Sequence, residues 1–205
     1  GHIVPIALMW GFGVALAIYA SWNLCPAHLN PAVSLAMMLN NYVSIKKMFF
    51  YWTAQFVGAF LAATTLFLIF GNTINSFEEI KSISTAKMFG EYYSVSTTSA
   101  FLLEMIGTIF LVFMIFVIVT KVKTKNLIPV LIGLVVSVAI IFIAPYTQCG
   151  INPARDLAPR LFSYLTEWES VAFSQSAISV YVLAPLVGGI FGYLLFLPIK
   201  KASNF

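Results

Sequence analysis

Five long apolar runs dominate the chain, at residues 3–20, 48–70, 98–120, 127–144 and 179–198, and only Glu104 brings a charge into any of them. A bilayer core of about 30 Å takes about 20 residues of helix. Each run therefore predicts a membrane-spanning helix. Two further segments, 31–40 and 153–165, are too short to cross and predict half-membrane helices. The predicted class is an all-α membrane protein with five full spans and two half-helices.

The two short segments open alike. Asn30-Pro31-Ala32-Val33-Ser34-Leu35-Ala36 and Asn152-Pro153-Ala154-Arg155-Asp156-Leu157-Ala158 agree at five of seven positions, 122 residues apart (152 minus 30). This is an internal repeat. It divides a single channel-like domain, 1–205, into a first repeat over 1–70, an outside loop over 71–97 and a second repeat over 98–205. The loop, rich in Asn, Ser, Glu and Lys, is too polar to lie in lipid.

Composition agrees with a membrane chain. Hydrophobic residues make up 60% and charged residues only 9%, against roughly 25% charged in soluble domains. So few charges exclude a soluble globule and a nucleic-acid module. Cys25 and Cys149 are too few for a disulfide framework, and no Cys/His metal cluster or signal peptide is visible. The net charge of +4 matters through its placement. Lys46, Lys47, Lys121, Lys123, Lys125, Lys200 and Lys201 fall on one side with no acid among them. The other side carries Lys81 and Lys87 against Glu78, Glu79, Glu91, Glu167 and Glu169. The positive-inside rule puts the lysine side in the cytoplasm of a cell-membrane protein. The alternation closes only if each short segment dips in and returns, the first from the cytoplasm and the second from outside.

Asn-Pro-Ala is a compact helix start. Asn caps with its side-chain oxygen, Pro suits the first helical position, and Ala is small and strongly helical. The Asn amide stays available as a donor. Two such starts meeting at mid-membrane place two donors and two positive dipole ends at one point. Irregular backbone is tolerated at that depth only beside a wet cavity or inside protein. The approach segments, 24–29 and 146–151, then offer carbonyl acceptors along a pore. Gly188-x-x-x-Gly192 and Gly58-x-x-x-Ala62 predict close helix packing.

On these paired motifs the chain resembles the major intrinsic proteins, the aquaporin family. Asp156 after Arg155, and Trp10 in Met9-Trp10-Gly11-Phe12-Gly13, resemble the glycerol facilitators, or aquaglyceroporins, within it. The resemblance covers essentially the whole chain. It implies six spans and two half-helices, one pore per subunit, and a homotetramer in the lipid bilayer. Five spans are present, so it also implies that the opening span, the repeat mate of 98–120, is missing. The family carries one buried Glu in each opening span, and Glu104 is the only one here.

The resemblance implies a constriction built by Trp10, Ile140, Cys149 and Arg155. Arg155 donates to solute hydroxyls and repels cations; Trp10 is a flat wall for the carbon face of a polyol. Ile140 stands where water-selective relatives carry His and glycerol facilitators commonly Gly. Cys149 stands where the facilitators carry an aromatic, so bulk moves from one wall to the other. His28 is pore-lining in the family, and Pro26 keeps the carbonyl a pore needs. Glu104 is expected to accept backbone N–H groups from 146–151. The implied function is passive diffusion of glycerol and other small neutral solutes, with some water, ions and protons being excluded. A water-selective channel, or one for urea, dihydroxyacetone, hydrogen peroxide or lactic acid, stays open. A coupled transporter would need a second buried charge near the midplane. No catalytic pair, cofactor site or metal set is seen, so no enzyme is expected.

Overall fold

The computed structural model describes residues 2–78 and 80–202; Glu79, one of the outside acids, lies outside the described residues. Every regular element among them is helical. Five helices are long and apolar enough to cross a membrane, and the chain is a multi-pass membrane protein. They are α1 (Ile3–Ser21), α3 (Ile45–Phe77), α5 (Thr97–Lys121), α6 (Ile128–Thr147) and α9 (Ala184–Ala202), the last led in by a π-helical turn over Ile178–Leu183. Two short helices, α2 (Pro31–Leu39) and α7 (Pro153–Leu165), are the half-membrane pair. Single turns, α4 (Ile83–Ala86) and α8 (Glu169–Ala172), sit in the connections.

The starts of the half-helices follow from their sequence. Asn30 Oδ1 accepts the N–H of Ala32 at 2.9 Å, and Asn152 Oδ1 accepts those of Ala154 and Arg155 at 3.2 and 3.3 Å. Pro occupies the first helical position of both. Serines cap α3 and α5, Ser44 on Lys47 and Ser96 on Ser99. One boundary corrects the sequence reading. The stretch from Gly71 to Phe77, expected to open the outside loop, continues α3 as helix. Gly71 and Ile74 are buried there, and Asn75 donates to Glu167 at 3.3 Å. Packing thus carries the helix past the point where hydropathy falls.

Packing repeats across a pseudo-two-fold. α2 lies against α9 and α7 against α3, while α1 crosses α6 near the centre. At that crossing a Cβ on Gly11 would stand 2.4 Å from the Gly133 carbonyl oxygen, and one on Gly133 2.3 Å from that of Gly11. Only hydrogen fits, and the two backbones touch. α5 rests on α9 and α6. Gly188 and Gly192 admit it closely, since a Cβ at either would meet the carbonyl oxygens of Met105 and Ile109 at 2.5 and 2.9 Å.

The matching stripe on the other half behaves differently. Gly58, expected to be a close-packing position with Ala62, has nothing within 4 Å of its would-be Cβ, and neither does Gly13. Both line a groove of about 820 Å³ between α1 and α3.

Candidate functional site

A cavity of about 810 Å³ runs the length of α1 and α6. Its apolar walls are helical stripes, Ile3, Ile6, Val14 and Ile18 on α1 and Ile128, Ile132, Val136 and Ile140 on α6. Spacings of three, four and eight keep each stripe on one face. The two irregular segments before the half-helices, Pro26–Asn30 and Gln148–Asn152, bring polar groups to the cavity lining, and Lys87, Glu91 and Arg155 add charged ones. Trp10, His28, Asn30, Ile140, Cys149, Asn152 and Arg155 all line this one cavity. Pro31, Ala32, Pro153 and Ala154 sit behind the Asn pair as the first turns of α2 and α7.

The two half-helices lock to each other at their tips. Asn30 Nδ2 donates to the carbonyl of Ile151 at 2.8 Å, and Asn152 Nδ2 donates to the carbonyl of Leu29 at 2.9 Å. Each amide thus gives one hydrogen to the other half and keeps one. The backbone obeys the same symmetry. Ala27 and Leu29 have φ of 50° and 54°, and their mates Cys149 and Ile151, each 122 residues on, have 63° and 37°. Left-handed backbone is rare for residues with a Cβ, and for a β-branched Ile it is a genuine outlier. Each such residue costs about 1–3 kcal/mol and persists only where its surroundings over-determine it.

In the second half Glu104 provides that restraint. It is fully buried in α5 and accepts the N–H of Gly150 at 2.9 Å, the N–H of Ile151 at 2.6 Å and the hydroxyl of Thr147. Tyr181, on the π-turn before α9, donates to the Thr147 carbonyl at 3.0 Å. In the first half His28 faces Ser34 through Nδ1 at 3.2 Å and stands edge-on to Tyr51, while Trp52 donates to the Pro31 carbonyl at 3.0 Å.

Toward one end the lining becomes charged and aromatic. The Arg155 guanidinium lies 4.5 Å above the Trp10 ring, a cation–π contact, and Ile140 and Cys149 are buried at the same cavity. Asp156 is wholly buried. It accepts from Arg160 Nε at 3.0 Å and Nη2 at 2.8 Å, and from the backbone N–H of Glu91 at 2.6 Å.

Two residues here escaped the sequence analysis. Glu91 figures in the sequence only as one of the acids of the outside loops. It is only 2% exposed, lines the cavity and is ion-paired to Arg155. Burial pushes its carboxyl up to about 8, with the Arg155 guanidinium opposing. Arg160 is fully buried on α7 and also donates to the carbonyls of Ala172 and Glu91. The signal for Arg160 was in reach. An Asp and an Arg four apart on a short intramembrane helix have to pair. Glu91 has no local signal, because its partners are 64 or more residues away (155 minus 91).

The family model of the major intrinsic proteins matches residues 1–196. The glycerol uptake facilitator protein of Pseudomonas aeruginosa is 35% identical over 91% of this chain and 72% of its own length. Human aquaporin-9 is 34% identical over 96% of this chain and 70% of its own. The solved aquaglyceroporin of Plasmodium falciparum superposes with a TM-score of 0.82 at 28% identity, covering all of this chain and 84% of that one. With the doubled Asn-Pro-Ala tips and the bundle around them, these matches make the chain a member of the major intrinsic protein family.

Proposed function

We propose that the chain is a passive channel for glycerol and other small neutral solutes, with some water, that excludes ions and protons. The observation that carries this reading is the single cavity that brings Arg155, Trp10 and both Asn amides to one passage. Relatives named for glycerol uptake support it. A polyol entering the passage exchanges water hydrogen bonds for those of Arg155, Asn30, Asn152 and backbone carbonyls of 26–29 and 148–151. Its C–H face slides on Trp10 and Ile140. An ion has no such exchange, since stripping a charge of water costs far more than a few dipoles return. Protons meet two positive helix ends at the midpoint. His28 and Asp156 support the lining, the first beside Ser34 and the second through Arg160. The lysine-rich loops face the cytoplasm, and the apolar outer faces suit lipid and a homotetramer.

Stopped-flow assays on proteoliposomes test the reading. Glycerol permeability above protein-free vesicles is expected, unchanged by an uncoupler. Uptake that collapses with the proton gradient refutes passive transport, and fast water flux with no glycerol flux turns the reading to a water-selective channel. Cys149 lines the passage, as does the more exposed Cys25. In a Cys25→Ser background, which removes the other thiol on the cavity wall, a mercurial is expected to block glycerol flux and to spare the further variant Cys149→Ser. Equal inhibition of both takes Cys149 out of the passage.

A further inference from the structure

Glu91 is held in place from behind. Its N–H donates to Asp156, its carbonyl accepts from Arg160, and Asp156 and Arg160 are themselves paired at 2.8 Å. These contacts fix the backbone of a loop residue that would otherwise be free. Its carboxylate then meets Arg155 on one side while the Trp10 ring covers a face of the same guanidinium. Arg155, whose side chain lines the cavity, is therefore half of an ion pair.

Two consequences follow from elementary electrostatics. When the Glu91 carboxyl is ionised, the charge of Arg155 is cancelled at contact distance, and the mouth then carries a dipole and not a net positive potential. An acceptor also stands beside the remaining guanidinium donors, both on the cavity wall. A hydroxyl, being donor and acceptor at once, satisfies both; an anion satisfies only the donors and faces the carboxylate.

We propose that Glu91 is a specificity-determining residue of the outer constriction, cancelling the charge of Arg155 and pairing an acceptor with its donors so that hydroxylated neutral solutes are favoured over anions. This rests on the channel reading above and sharpens its substrate class.

The pair is titratable. Facing Glu91 from α7 are the positive Arg155 and Arg160 and the negative Asp156; Glu104 on α5 adds a second negative group, and Cys149 and Tyr181 face it as neutral ones. Lys87, on the same loop, lines the cavity further out. With burial raising the carboxyl to about 8, cancellation is complete above that pH and is lost as pH falls through it. An acidified mouth gains a net positive charge.

Proteoliposomes containing wild type or Glu91→Gln, equilibrated at pH 6 or pH 9, separate the possibilities with glycerol and nitrate as probes. Wild type is expected to exclude nitrate at pH 9 and to pass it about tenfold faster at pH 6, as an unmasked charge at a few ångströms implies. Glu91→Gln is expected to pass nitrate at the higher rate at both pH values, with glycerol flux reduced about fivefold because a neutral amide, with one carboxylate oxygen replaced by an NH2 donor, is the weaker acceptor. A flat wild-type nitrate profile overturns the proposal, and that measurement needs no variant. A Glu91→Gln channel with the wild-type nitrate-to-glycerol ratio also overturns it, leaving the channel reading intact. A wild type that passes no glycerol removes both.

Discussion

Glu104→Leu is expected to abolish glycerol flux and to lower the thermal midpoint in detergent by more than any substitution on the outer face. The swap leaves three donors, Thr147 Oγ1 and the N–H groups of Gly150 and Ile151, without their acceptor. A buried donor stripped of its partner costs about 1–3 kcal/mol, so the set costs about 3–9 kcal/mol against a typical stability of about 5–15 kcal/mol. The same bonds hold Cys149 and Ile151 in left-handed backbone. Once released, the segment relaxes toward ordinary backbone and the cavity wall it forms is lost. Glu104→Gln keeps an acceptor oxygen but turns a donor toward donors, and is expected to fall between. Wild-type melting and flux in Glu104→Leu would contradict this account of the segment.

Arg160→Leu has the next largest expected effect, through a different route. Arg160 is the buried partner of Asp156 and binds the carbonyls of Glu91 and Ala172. Removing it leaves Asp156 as an uncompensated buried charge, which costs about 3–5 kcal/mol. It also unpins the 90–92 backbone that caps the passage. The double substitution Asp156→Asn with Arg160→Leu removes the stranded charge and is expected to recover part of the loss. A double-mutant cycle on melting midpoints measures the recovery. Additive losses in the double variant would mean that the two residues stabilise the helix independently.

The fold was legible where the physics is local. A charge-free run of about 20 residues has one stable solution in lipid, so all five spans can be read directly, and Asn-Pro marks the half-helix starts to the residue. The far end of α3 was not legible. Gly71, Asn72 and Thr73 read as a loop, and only contacts brought in from the 160s and the 80s keep them helical. The Gly58–Ala62 stripe is a different case. The pattern for close packing is present, but a pattern states no partner, and among the described residues that face is open.

At the site, the family resemblance brought Trp10, Ile140, Cys149 and Arg155 into view, and they line one cavity. Glu91 stayed hidden because a carboxylate in a polar loop is normally hydrated. Its burial is a tertiary fact, created when the loop folds back over α7 and finds Asp156 and Arg160 waiting. Charges that act at long sequence separation leave no trace in composition.

The reciprocal Asn contacts at the tips of α2 and α7 have one more implication. What each half presents, an amide and the carbonyl of the residue just before it (30 and 29; 152 and 151), the other half presents as well. Such a latch is self-complementary, as in an isologous dimer. Two copies of a single ancestral half could close it with no new chemistry, and joining them end to end would preserve every bond. The seven-residue echo at 30–36 and 152–158 is what duplication and fusion of that kind leaves behind.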